Sequence, residues 1–209
     1  MNKNFKEALQ FRHACKSFDT SKKISDENIE FILNSARVSP SSYGLETSKY
    51  IVISNQALKE EIQEASMNQS QVGNCSHLVI VLAGIKETKV HSGIPRERFE
   101  RLNMPKDNLE FFLGLYEDFS KEHLYNEEKI YNWASKQAYL SVGNMMTAAA
   151  VKGVDSCAIE GFEKEKVEAI LKLDTSLHQV ALVLPFGYRK YEQSPQIRRE
   201  LNDIVKFIN

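Results

Sequence analysis

Apolar positions along the chain follow two spacings. At residues 2–12, Phe5, Ala8 and Leu9 recur at the helical period and predict a short amphipathic helix. Ser25 is a candidate N-cap for a second helix, DENIEFILNSAR, with Ile29, Ile32, Leu33 and Ala36 on one face. SPSSYG (39–44) punctuates that helix. KYIVISN (49–55) predicts a strand, ALKEEIQEAS a helix, and the unbroken apolar run HLVIVLAGI (77–85) a strand covered on both faces. Residues 86–128 are charged and irregular, with a helix expected around DNLEFFLGLYEDF. WASKQAYLSVGNMMTAAAVKG (133–153) is apolar around most of a helical circumference, which places it in a core or a subunit interface. VDSCAIE (154–160) predicts a strand, KEKVEAILKL a helix, and HQVALVLPFGY (178–188) a last strand. The tail SPQIRRELNDIVKFIN starts polar and ends apolar, a pattern suited to a strand added to a sheet edge, its own or a partner's. Strands and helices alternate around a long buried helix, so the fold class is α+β or α/β. Neither a repeat nor a linker divides residues 1–209, and a single domain is expected, with 86–128 as an excursion.

Composition narrows the function classes. Twenty-seven basic and 28 acidic residues leave a formal charge of −1, which disfavours nucleic acid as a general partner. Cys15, Cys75 and Cys157 are far apart and form no CxxC, so neither a disulfide framework nor a zinc site is indicated, and a reducing cytoplasm is the expected location. The five histidines (13, 77, 91, 123 and 178) lack metal-ligand spacing, and no metal is expected. The N-terminal residues carry no apolar signal run, and no stretch approaches a bilayer span. GxGxxG, GxxxxGK[ST], HExxH and GxSxG are all absent.

Four stretches remain as candidates for chemistry. FRHACKSFD (11–19) sets Arg12, His13 and Lys16 within five positions. That density suits an anion site, and equally a helix C-terminus whose dipole favours cations. Clustered hydroxyls in SPSS either donate to a ligand or belong to a plain loop. Glu160-Gly161, in SCAIEGF between a strand and a helix, offers backbone N–H groups and a side-chain-free approach, or is simply a helix-start turn. Arg198 and Arg199 are a surface pair by default, and informative only if they converge with Arg12.

Taken in order, these stretches resemble the FMN-dependent nitroreductase superfamily, and within it the bacterial oxygen-insensitive NAD(P)H nitroreductases. RHACKSFD matches the family's R-[HY]-[ST]-x-K-x-[FY]-D; residues 39–42 match its SPSS loop; Asn68 precedes the SHLVIVLAG strand; Asn144 through VDSCAIEGF matches the end of its buried helix; GYR and QIR match its C-terminal signals. The resemblance implies a nitroreductase-like α+β fold with a central mixed sheet flanked by helices. It also implies an intertwined homodimer whose C-terminal segment adds to the partner's sheet, the long helix lying at the interface. Two FMN molecules would each contact both chains. Arg12 and the Arg198–Arg199 region would hold the phosphate, with His13 and Ala14 alongside. Lys16 would sit near the N1–O2 edge of the ring, and Asn68 and Gln71 near its pyrimidine side. Ile159, Glu160 and Gly161 would present backbone to N5 and O4. Pro40, Ser41, Ser42 and Tyr43 would come from the other subunit, and Phe119 would gate substrate. No side chain is expected to act as nucleophile: hydride passes from NAD(P)H through flavin N5 to nitroaromatic or quinone acceptors by a ping-pong scheme. Two neighbouring readings are a flavin or ene-type reductase on the same scaffold, and a flavin-binding redox sensor using Cys15 and Cys157.

Departures from the pattern are specific. Ala14 replaces a serine, Gln71 and Gln196 stand where prominent members carry lysine, and YGLETSK lacks the Pro and Trp of the usual N-x-Q-P-W loop. Fewer cations beside a ring that gains negative charge on reduction lower its potential. Gln71→Lys is therefore expected to raise the flavin midpoint potential in a redox titration; an unchanged or lower potential contradicts this.

Overall fold

A computed structural model describes residues 2–208. Its elements in chain order are α1 (Phe5–Phe11), α2 (Asp26–Arg37), a 3₁₀ turn (Ser42–Gly44), β1 (Ser48–Ile53), α3 (Gln56–Glu64), α4 (Ser70–Asn74), β2 (His77–Gly84) and α5 (Ile85–Thr88). There follow α6 (Ile94–Glu100), α7 (Lys106–His123), α8 (Glu127–Val151), β3 (Asp155–Ser156), α9 (Lys164–Ile170) and β4 (His178–Gly187). The helix starts are locally encoded. Asn4 and Glu7 form a capping box on α1, and Ser25, Asn55 and Asn126 cap α2, α3 and α8 through their side chains.

The sheet runs β1-β2-β4-β3 with every strand pair antiparallel. Alternation on the two central strands feeds two cores. Leu78, Ile80 and Leu82 of β2 with Val180 and Val183 of β4 face Ile62 of α3 and Val167 of α9. Val79 and Val81 with Leu182, Leu184 and Phe186 face Ile29 and Ile32 of α2 and Val142 and Met145 of α8. Both faces are covered, so these strands read as continuous apolar runs. A register shift between Val81 and Leu82 accommodates one extra residue of β4. A third, aromatic cluster joins Tyr43 to Phe99, Phe112, Tyr116 and Phe119, and anchors the 86–128 excursion. Within it the Tyr116 hydroxyl donates to the Thr88 carbonyl across 2.5 Å.

The structure corrects two expectations, the mixed sheet and the long strand over 154–160, and shows how the buried helix and the tail stand in a single chain. Within one chain the named strands form an antiparallel sheet, not a mixed one; the parallel pairing is the isolated bridge Ala14–Ser156. The strand expected over 154–160 is only two residues long. Cys157 N–H donates to Pro185 O, but Pro185 has no N–H to return, so the ladder breaks there before a single bridge at Ile159–Val183. The α8 helix is buried along Ile130, Ala134, Ala138, Met145 and Ala149, while Leu140 is about half exposed, so one chain covers only part of its circumference. The tail forms no strand: after a short 3₁₀ turn at Leu201–Asp203 it leaves Ile204, Phe207 and Ile208 exposed. Exchange of this tail with a partner lies outside what a single chain displays. Helices α4, α5 and α6 were not anticipated, because four to seven residues are too few to display a period.

Gly187, the last residue of β4, sits against a buried ring. A Cβ there would lie 2.7 Å from the ring of Phe18, itself 2% exposed and unable to withdraw. Gly187→Ala is expected to cost about 1–3 kcal/mol, read as a lower urea midpoint with an unchanged slope.

Candidate active site

The segment Arg12–Ser17 leaves α1 in extended conformation and lies beside β3, with Cys15 N–H donating to Ser156 O. Residues 189–198 return across it, and the two segments wall an open cleft of about 570 Å³. Asp155 ties them together. Buried at the start of β3, its carboxylate accepts Arg189 N–H at 2.9 Å, Nε at 3.0 Å and Nη2 at 2.6 Å. Arg189 in turn reaches Phe11 O and Gln193 and lies over the Phe11 ring at 4.0 Å. His13 Nδ1 stands 3.5 Å from the same carboxylate. Burial, then the Arg189 charge, lowers the His13 pKa below its ordinary value. His13, Cys15 and Asp155 approach within 4.8 Å, but Asp155 is committed to Arg189. The Cys15 thiol is pushed up to about 11 by burial and donates to Ser17 O.

Arg12, His13, Ala14 and Arg198, expected from the resemblance on the phosphate side, line this cleft together with Lys16, expected at the ring edge. Among the described residues, Arg12, Lys16 and Arg198 form no ion pair with a carboxylate, although Glu192 also lines the cleft. Arg199 does not join them; its Nη2 turns to Asp203 O. Gln196 has a definite task. Its amide donates to the carbonyls of Leu9, Gln10 and Arg12, which closes the C-terminus of α1 and fastens the tail segment to the cleft.

A second group continues from Lys16, whose Nζ lies 3.5 Å from the buried Cys157 Sγ. Burial raises the Cys157 pKa, partly offset by Lys16 and by Gln71. The Gln71 amide donates to Gln69 Oε1 at 3.0 Å, and the Gln69 amide to Gly161 O at 2.9 Å. Glu160 accepts the Tyr139 hydroxyl at 2.7 Å. The backbone N–H groups of Glu160 and Gly161 have no acceptor among the described residues, whereas Phe162 N–H returns to Glu160 O. Asn68 is exposed in the adjoining loop, where it and Met67 adopt left-handed φ values of 53° and 55°. The Met67 sulfur lies 3.4 Å from where a Gly161 Cβ would stand. Ile159 points into the core, and its backbone N–H and carbonyl are both paired with Val183, so it presents no free backbone group to a ligand.

Pro40 and Ser41 line a different cleft of about 300 Å³, with Ser39, Tyr50, Arg98 and Gln137. Ser42 N–H is held by Gln137 Oε1. The Tyr43 ring belongs to the aromatic cluster rather than to either cleft, and Phe119 packs against it at 5.5 Å. Within one chain, 40–43 and Phe119 are therefore not brought to Arg12 and Lys16. Sequence reasoning missed Arg189, Asp155, Gln69 and Tyr139. Arg189 was legible as part of GYR, but only the fold shows that it holds the two cleft segments together.

The nitroreductase family model matches residues 9–188. A Bacillus subtilis protein named "Putative NAD(P)H nitroreductase YfkO" is 40% identical over 97% of this chain and 96% of its own length. Among solved structures, a nitroreductase from Exiguobacterium sibiricum, described as in complex with FMN, superimposes with a TM-score of 0.83 at 21% identity, covering 99% of this chain and 98% of that one. An enone reductase of gut-bacterial fatty acid saturation, CLA-ER, gives 0.82 at 19%, covering 100% and 99%. The α+β fold is thus shared with these solved structures. The chain belongs to the nitroreductase family.

His13 and His77 both lose proton affinity on folding, chiefly through burial, then through Arg189 for the first and Lys59 for the second. The unfolded chain, titrating near 6.5, binds these protons more tightly than the fold does, so stability must fall as pH drops through and below that value. Urea unfolding is expected to show lower stability at about pH 5.5 than at about pH 7.5, and His13→Gln to shrink that difference. A difference unaltered by the substitution would remove His13 from the account.

Proposed function

We propose that this protein is an FMN-dependent oxidoreductase that takes hydride from NAD(P)H and delivers it to nitroaromatic or quinone acceptors in alternating half-reactions. One observation carries the reading: Arg12, Lys16 and Arg198 line one cleft with no carboxylate partner, and beyond Lys16 lie the free backbone donors of Glu160 and Gly161. That donor set fits a phosphate joined to a flat, electron-rich ring. The names of the relatives and the FMN complex of the Exiguobacterium nitroreductase favour the same assignment.

When bound, FMN supplies the hydride chemistry, and no nucleophile or metal ligand is asked of the chain. Arg12 and Arg198 would grip the phosphate. Lys16 would place a positive charge beside the ring and favour its reduced, negatively charged form. The Gln71–Gln69–Gly161 chain fixes the Gly161 carbonyl and so aims the peptide N–H groups of the turn. Asn68 would reach the polar edge of the ring from its exposed loop. The redox-sensor reading loses support, because Cys15 and Cys157 are buried and their thiols are held protonated at neutral pH.

A homodimer accounts for two features of the single chain. Exposed Leu140, with Gly143 and Asn144 nearby, lies on the uncovered face of α8, and Ile204, Phe207 and Ile208 leave the tail with apolar surface to bury. A partner copy would cover both, and its Pro40–Ser42 loop would supply the wall that the Arg12 cleft lacks.

Purified protein supplied with FMN is expected to turn yellow, to bleach on anaerobic NAD(P)H, and to recover on addition of a nitroaromatic or quinone. A colourless protein that takes up no FMN refutes the proposal. Arg12→Ala is expected to weaken FMN binding by about ten- to a hundredfold, the loss of one charged hydrogen bond, measured by flavin fluorescence quenching.

A further inference from the structure

Between the C-terminus of α7 and the first turns of α8 lies a cleft of about 400 Å³, separate from both clefts above. Lys129, Asn132, Trp133 and Lys136 are spaced i, i+3, i+4 and i+7 along α8, so one helical face supplies them all. The opposite wall is Phe119 and His123, whose rings lie 4.8 Å apart, with Phe119 5.9 Å from Trp133. The lining therefore combines flat apolar faces with two ammonium groups and contains no carboxylate. The nearest recorded acid contact is Glu122 on His123 at 3.7 Å; among the described residues, neither Lys129 nor Lys136 forms an ion pair.

We propose that this cleft is a binding site for a planar aromatic anion. Its volume suits a small ring compound. The half-buried Trp133 ring and the exposed His123 ring take the ligand's ring, with Phe119 packed behind them, and Lys129 and Lys136 take a carboxylate or sulfonate carried on it. An uncharged aromatic of the same size gains the stacking alone. The cleft also borders the loop assigned above to the flavin. Gln137, which holds Ser42 N–H, follows Lys136 in sequence, and Phe119 packs on Tyr43 at 5.5 Å. Binding here requires no flavin and stands apart from the oxidoreductase reading.

Trp133 is the one tryptophan of the chain and forms a wall of the cleft, so its fluorescence reports occupancy directly. The probe is 4-nitrobenzoate, compared with nitrobenzene, with absorbance corrected against free tryptophan. Saturable quenching is expected for the anion, at least about fivefold tighter than for nitrobenzene, and weakened by about 0.5 M sodium chloride. The double substitution Lys129→Ala with Lys136→Ala should abolish that preference while leaving the circular dichroism unchanged. Equal affinities for the two probes, unsaturable quenching, or a preference that survives in the doubly substituted protein would overturn the proposal. Failure of FMN uptake would not bear on it.

Discussion

The Asp155–Arg189 pair is the constraint on which the site depends. A carboxylate 4% exposed needs its oxygens satisfied, and Arg189 satisfies them from both side chain and backbone. Because Arg189 follows directly from β4 and reaches Phe11 O, this one side chain fixes the exit of α1, the short edge strand β3 and the returning C-terminal segment in one arrangement. The cations of the cleft stay outside this pair. Arg189 is neutralised by Asp155, while Arg12, Lys16 and Arg198 remain available. Two arginines of similar sequence context therefore differ in use, and the difference comes from which one meets the buried carboxylate.

Much of the fold was legible because local signals agreed with tertiary ones. Ser25 caps α2 at the predicted residue, and the unbroken apolar runs at 77–85 and 178–188 became the two strands covered on both faces. The misreadings have physical causes. VDSCAIE has strand composition, but its partner Pro185 cannot complete the ladder, which no local pattern reveals. The tail has the composition of a strand, but its described residues pair with neither edge strand of the chain's own sheet, β1 or β3. Within the candidate site, Arg12, Lys16 and Arg198 were legible as charge density with a common destination. Tyr43 and Phe119 are placed at the site by the family pattern alone, Tyr43 on a loop assigned to the partner, and within one chain both pack in the aromatic cluster.

The two glutamines at lysine positions also change meaning once their partners are known. Read as losses, Gln71 and Gln196 suggest a weaker cation field. In the fold each side chain acts through its amide N–H, filling a donor role that an ammonium group also fills, but without the positive charge. Gln71 hands a hydrogen bond along Gln69 to the Gly161 carbonyl, and Gln196 gathers three carbonyls at the end of α1. The substitutions trade electrostatic strength for fixed backbone geometry.

The walls of the Arg12 cleft stand at opposite ends of the fold, and the bond from Arg189 to Phe11 O spans 178 positions. During synthesis the first wall emerges early, but its counterpart follows only after the last strand has left the ribosome. Contacts of such long sequence separation form late, after the intervening loops have closed. A growing chain therefore carries an exposed basic segment with nothing to enclose until its second wall arrives.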